Sequence, residues 1–580
     1  MVSVAAACAA VPAQAEVKFS PPQTLFSGIA GSQEVAVDAQ GRATVVALKA
    51  PPDEDGTLVQ VMRLSPSGLP GTVFTLEEVP HDPPLGQCVC PELALDPSGR
   101  AVVAWQTATE EGRRVMAAFI DADGVPQPPR ALSPGGESAA RPSVDATPEG
   151  SFAVAWHVGG VGERVEAALL DSDGNVGESR SLTEPGEGGS YPMVAAGPEG
   201  TFHVAWNGGD NRVSTTVLDE EGFPEAIQSV SPEGVPATLS GIVIDSKGRT
   251  TIAWWHGSGL YEAKAVRLDA DGTPGSVWTL QPGDQNVSGA RIAVDGQDRV
   301  TAVWEDFQER IFAVRLGADG VPEAVHQISP ENHLAGSPQL AAAPDGRVVV
   351  AWNHPVRFYI PEESCGVTTL EPEDDVVRAA LIGSGGQLER VYDVSAYGEE
   401  AAGVQLALDP LGLPWVVWET FDGTYFCDEV GGRVLISHGF EQKDPPVEES
   451  TAPPATESPK PPPALQLAKR GVAREGRVRI RAKCSGESGQ ACLGSIRIIS
   501  PASALLPGNA RPSTRRKGTL RLARGRYRIA EGETATIELL ISRFAKQLLA
   551  ARSAIWVTSK AKGRGLPAST VLIRVIGSTP

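Results

Sequence analysis

A polar side chain recurs at one place in this chain. His157, Asn207, His256, Glu305, Asn353 and Glu419 each follow a Trp that closes a hydrophobic run, as does Gln106, and Lys49 follows the exceptional Leu48. If those runs are equivalent strands, the imidazole, amide and carboxylate groups meet at one face. With Trp254 beside them they would hydrogen-bond to, and stack on, a sugar or a peptide. The carboxylates of Glu305 and Glu419, at a suitable separation, would serve a glycoside as acid and base. The plainer reading is that each strand simply ends in a solvated polar residue. No G-x-S-x-G, H-E-x-x-H or Walker loop occurs, so the common hydrolase and nucleotide chemistries have no carrier here. No catalytic residue, metal ligand or cofactor is assigned.

The elements that would position these groups are legible as a repeat. VAVDAQGRATVVAL at Val35–Leu48 returns as LALDPSGRAVVAW at Leu93–Trp105, then in runs ending at Trp156, Trp206, Trp255, Trp304, Trp352 and Trp418. A strand-rich period near 50 residues indicates radial repetition, a β-propeller. In the second repeat the four strands are expected at Leu93–Leu95, Ala101–Trp105, Val115–Ile120 and Arg130–Ser133. Asp-x-x-Gly turns join them, because Asp bonds nearby amides and Gly accepts positive φ. The Asp-x-Asp-Gly turns at Asp121, Asp171 and Asp269 lack the later ligands of a calcium loop and read as turn chemistry. The eighth repeat has no fourth strand, whereas Phe19–Ser27 resembles Gln127–Ser133. The expectation is therefore an all-β fold, an eight-bladed propeller over 17–441 closed by an N-terminal strand, which removes exposed strand edges.

Long loops are unevenly spread. Ala50–Thr57, Glu78–Pro91, His354–Asp375 and Thr420–Gly432 belong to neighbouring repeats and are rich in acids. They carry Cys88, Cys90, Cys365 and Cys427, with Cys365 and Cys427 the favoured pair and the pairing of Cys88 and Cys90 open. An acidic, disulfide-braced crown for a cation or a basic ligand is one expectation, and plain insertions are the other. Arginines just after turn glycines (Arg42, Arg100, Arg249 and Arg347) stand apart from any shared pocket of the sialidase kind.

Charge divides the chain. From Gln466 onward 23 basic residues face 5 acidic ones, a net of +18, and the remainder, 27 against 66, is −39. The acidic part repels nucleic acid, whose binding rests on phosphate contacts. The basic part, with Arg515-Arg516-Lys517 and Arg521, Arg524, Arg526 and Arg528, suits an anionic envelope polymer or the acidic partner domain. Residues 1–15 read as a signal peptide ending in Ala13-Gln14-Ala15, although no basic residue precedes it. No run is long and apolar enough to span a membrane. Without Cys8, six cysteines remain, which suits a secreted or envelope location, and Cys484 with Cys492 is the best disulfide pair.

Residues 442–464 hold eight Pro and read as a spacer, at most about 70 Å long. Alternating strands at Arg477–Lys483, Ser495–Ser500, Thr519–Ile529, Thr534–Ile541, Ala554–Ser559 and Thr570–Ile576 indicate a small antiparallel β-sandwich over 465–580, with a helix at Arg543–Ala551. Repeats of the form LALDPSGRAVVAW, DADGVP and ALS resemble those of secreted actinobacterial tandem-repeat propeller proteins. Gly476–Cys484, Cys492–Ile499 and Gly525-Arg526-Tyr527 before Gly532 resemble an Ig-like module. The resemblance implies an extracellular protein and no settled activity. Three functions stay open: a secreted protein binding a glycan or protein on one face without catalysis, a glycan-active enzyme, and a structural envelope protein.

Overall fold

The computed structural model describes residues 16–50, 56–80, 89–110, 112–257, 261–281, 286–317, 319–330, 334–353, 376–395, 401–421, 432–442, 464–474, 477–485, 492–501, 519–529, 533–541, 554–563 and 566–577. The chain divides into two compact units, Met1–Pro446 and Val447–Pro580. The acidic loop insertions with Cys88, Cys365 and Cys427, the Pro-rich spacer and the expected helix at Arg543–Ala551 lie largely or wholly outside the described residues.

Both units are built of strands. The first holds antiparallel sheets in chain order: sheet 1 at 29–80, sheet 2 at 92–131, sheet 3 at 138–181, sheet 4 at 190–229, sheet 5 at 237–279, sheet 6 at 291–327, sheet 7 at 336–393 and sheet 8 at 401–442. In sheets 1 to 7 the four strands pair in sequence order, and sheets 2 and 3 are also joined by one parallel bridge between Arg113 and Ser138. Sheet 8 has three strands of its own, Ala401–Leu408, Pro414–Phe421 and Gly432–Gln442. Its last strand pairs with Gln23–Ser27, Phe26 opposite Val434, and further along with Glu16–Phe19. Phe19–Ser27 thus lies in the sheet that the sequence assigned to it.

The local code is turn chemistry plus β-branched strands. Asp38 Oδ1 accepts from the amides of Gln40 and Arg42 at 2.9 and 2.8 Å, and Gly41 takes φ +75°. Asp96 with Gly99 repeats this geometry. The arginine after the turn then reaches the next sheet. Arg42 Nη1 donates to Ala122 O at 2.9 Å, Arg100 Nη1 to Ser172 O at 3.1 Å and Arg347 Nη2 to Leu411 O at 2.9 Å. These arginines tie neighbouring sheets together instead of lining a pocket.

The core lies between sheets. Among the described residues seven buried clusters each draw on two consecutive sheets, and an eighth unites Trp415, Val417 and Ile436 of sheet 8 with Val35, Val45 and Leu64 of sheet 1. Trp105, Trp156, Trp206, Trp254, Trp304, Trp352 and Trp418 are fully buried in these layers. In every repeat the core position follows the first turn residue by nine. That places Ala47 in sheet 1 and Trp254 in sheet 5 at the Trp position. Strand register agrees: Trp254 opposes Lys264 as Trp156 opposes Glu166, while Trp255 opposes Ala263 as His157 opposes Val165. The sequence reading, aligned on Trp255 and Leu48, was one residue out of phase in those two repeats.

The second unit differs from the expected sandwich. Its strands, Ala464–Arg474, Arg477–Ser485, Cys492–Pro501, Thr519–Ile529, Thr534–Ile541, Ala554–Gly563 and Leu566–Gly577, close into a barrel. Two contacts achieve this: a parallel pairing of the first strand with the last, and a two-residue bridge from Ala523-Arg524 to Leu540-Ile541. Joining the edges satisfies backbone groups that two separate sheets would leave exposed. No sequence signal marks a two-residue bridge or a first-to-last parallel pair.

Candidate functional site

The side chains after the core Trp are engaged within the fold. The first strand of most sheets carries a bulge, where register shifts and an amide leaves the ladder. The preceding sheet supplies the acceptor. Gln106 Oε1 accepts from Arg141 N at 3.0 Å, Asn207 Oδ1 from Leu239 N at 2.7 Å and Glu305 Oε2 from Ser337 N at 2.9 Å. Arg141 and Ser337 sit at φ +55° and +51°, so these bonds hold a backbone conformation that ordinary residues disfavour. Asn353 is buried. His157 Nε2 meets Glu163 Oε1 at 3.0 Å, and His256 Nε2 meets Glu262 Oε2 at 3.4 Å with Lys264 alongside. Trp254 is fully buried and offers no face for stacking, so it drops out as a ligand contact. The cause is the phase error: Trp255 holds the ring position and packs edge-on against Tyr261.

Glu419 stands apart. Its carboxylate fills the space beside Gly31 and Gly403, where an added Cβ would lie 3.1 and 3.2 Å from its oxygens. Gln33 Nε2 donates to Gly403 O at the same junction of sheets 8 and 1. Burial pushes the Glu419 carboxyl up to about 7. Burial also raises Glu305, against the pull of the Ser337 amide. Glu305 belongs to sheet 6 and contacts the Ser337 amide of sheet 7, while Glu419 belongs to sheet 8 and contacts the junction with sheet 1.

A second polar group escaped the sequence reading. Glu34, Glu92, Arg291 and Gln405 lie on the first strands of sheets 1, 2, 6 and 8, at one register level opposite Val46, Ala104, Val303 and Val417. Each precedes its turn Asp by four residues. Gln405 Nε2 donates to Glu34 Oε1. Burial and repulsion from Glu92 hold the Glu34 carboxyl well above its usual range, while Arg291 pulls it down. Glu92 is raised by burial against the same guanidinium. Ser143, Met193, Gly241 and Gln339 occupy this level in the other four sheets. On sheet 3, two residues after Ser143, Asp145 accepts from the Ala196 amide at 2.8 Å, and burial raises it to about 6. The group therefore offers two carboxyls that burial holds toward their protonated form, a guanidinium donor and an amide. The signal for it was there: charged or amide residues at a fixed distance before the turn.

Cys90 and Cys484 each take part in a disulfide. Among the described residues no cluster of three His, Cys, Asp or Glu suits a metal ion, and no helix is long and apolar enough to cross a membrane.

No family model matches the chain, and no curated protein matches it. Solved structures do. The BP39L lectin from Burkholderia pseudomallei is 12% identical with TM-score 0.45, over 64% of this chain and 100% of the lectin. The β-propeller domain of the Trilobed protease from Pyrococcus furiosus is 10% identical with TM-score 0.37, over 65% and 97%. A fungal alcohol oxidase in complex with copper is 12% identical with TM-score 0.39, over 96% and 99%. At these scores the likenesses decide nothing about what this chain binds or does.

Proposed function

We propose that sheets 1 to 8 are the eight blades of a ring closed at the N-terminal strand, and that the chain is a secreted, non-catalytic binding protein. On this reading the first strands line the ring's axis, and Glu34, Glu92, Arg291 and Gln405 form the binding group there. The observation that carries it is the gathering of two carboxyls, a guanidinium and an amide from four sheets far apart in sequence. Carboxylates accept from hydroxyls, while Arg and Gln donate to them, which suits a glycan ligand. The test is a glycan array with the full chain, beside a panel of chromogenic glycosides. Saturable binding without turnover, lost in Glu92→Gln and in Arg291→Gln, is the expected result. Turnover abolished by the same substitutions replaces this reading with a glycan-active enzyme. Silence on every glycan overturns it and leaves a protein partner or an envelope role.

The cysteine and charge patterns extend the proposal. Cys484 is taken to pair with Cys492 and Cys365 with Cys427, which peptide mapping without reduction checks directly. The C-terminal barrel is taken to meet an anionic envelope polymer through its excess of arginine. Such binding should collapse as salt is added.

A further inference from the structure

A cavity of about 270 Å³ opens between sheets 4 and 5, lined by His203, Thr216, Val217, Glu225, Gln228 and Asp271 among others. Its origin lies in one residue. Val217, opposite His203, has its equivalents in Arg63, Phe119, Leu169, Arg267, Arg315, Leu381 and His438 of the other sheets, each at the same register opposite the second strand. Val is the smallest of the eight.

In sheets 1, 2 and 3 this side chain covers the turn glycine of the next sheet. Arg63 lies 3.3 Å from a Cβ placed on Gly124, Leu169 lies 3.4 Å from one on Gly222, and Phe119 presses on Gly174. At Gly272, beside Val217, the nearest atom is Gln228 Nε2 at 3.7 Å. Where the filler is Arg, its guanidinium goes to turn carbonyls of the next sheet. Arg63 donates to Asp121 O, Ala122 O and Gly99 O, Arg315 to Ser384 O, Gly383 O and Gly346 O, and Arg267 to Gly317 O. The corresponding turns of sheet 5, Asp269–Gly272 and Asp245–Gly248, have the same hydrogen-bonded geometry. They face a sheet that sends them no arginine from this position.

We propose that this cavity binds an alkylguanidinium group, free or on an arginine side chain of a partner, which occupies the place that Arg63, Arg267 and Arg315 fill in their own sheets. The aliphatic stem lies along Val217 and over Gly272, and the charge meets turn carbonyls. The exposed carboxylates of Glu225 and Asp271, both in the lining, favour a cation and disfavour an anion. His203 Nδ1 is held by Thr250 Oγ1 at 2.8 Å, and burial lowers the imidazole to about 4, so the wall stays neutral at physiological pH.

The test is titration of the full chain with agmatine, with a blocked Gly-Arg-Gly peptide, and with neutral butylurea as the control. Saturable agmatine binding in the millimolar range is expected, at least about tenfold tighter than butylurea. Val217→Arg and Val217→Leu each fill the cavity and should weaken agmatine binding by about tenfold or more, with the thermal midpoint not lowered. Two fillings guard against a misfolded variant, since Leu already serves at Leu169 and Leu381. Peptide binding tighter than agmatine assigns the site to a partner's arginine, and the reverse assigns it to a small ligand. Equal binding of butylurea, or unchanged affinity in both filled variants, overturns the proposal. Glu92→Gln should leave this binding untouched, so failure here and failure of the glycan reading are separable.

Discussion

Glu419 shows how one residue makes this fold sensitive to pH. Its carboxyl is raised to about 7 by burial at the junction of sheets 8 and 1. The folded chain therefore holds a proton that the unfolded chain releases near 4.5. Stability from this group is full below the unfolded value and is lost as pH rises through 7. Glu419→Gln should raise the thermal midpoint at pH 8 and change it little at pH 5, as a melting series across that range would show. His203 has the opposite sign. Its imidazole is lowered to about 4, so the unfolded chain binds the proton first and stability falls as pH drops below 6.5. His203→Thr, the residue present at Thr251 and Thr301, should flatten the acid limb of the same series.

At the scale of the strand, repeated side-chain-to-amide bonds hold the sheets. Ser133, Thr183, Ser231, Ser329 and Ser395 each accept from an amide on, or just before, the third strand of their own sheet, at 2.9 to 3.1 Å and 18 residues away. Ser329→Ala leaves the Ile311 amide buried without this partner and should cost about 1–3 kcal/mol in denaturant unfolding. Asn207→Leu removes the acceptor for the bulged Leu239 amide and belongs to the same range, about 1–3 kcal/mol. Trp156→Ala empties a layer between sheets 2 and 3 and should cost about 3–5 kcal/mol. A measured cost below 1 kcal/mol for the Trp substitution contradicts its burial.

At the scale of the molecule, the decisive contact joins the chain's beginning to the last sheet of the first unit. Removing residues 16–27 leaves Gly432–Gln442 paired only with Pro414–Phe421 and takes Phe26 out of the cluster shared by sheets 8 and 1. Light scattering and thermal melting should show a lower midpoint and association of the truncated chain through the bare edge. An unchanged midpoint with no association counts against any structural role for this strand.

Much of this was readable from residues alone. The turn-and-strand phrase gave the sheets, because Asp–Gly turns and β-branched runs act over a few residues. The likeness of Phe19–Ser27 to the fourth-strand segments gave the last sheet's missing partner, since equivalent strands need equivalent side chains at the core. What failed was phase. A second Trp at 255 hid the nine-residue spacing that puts Trp254 in the core, and Gln106, Asn207 and Glu305 serve as partners of bulged amides. The meeting of Glu34 with Gln405, 371 residues apart, and the cavity left by Val217 belong to tertiary structure alone. Periodicity tells which strand a residue occupies. Only the packing of one sheet on another sets which charges share a low-dielectric space and which gap no side chain fills.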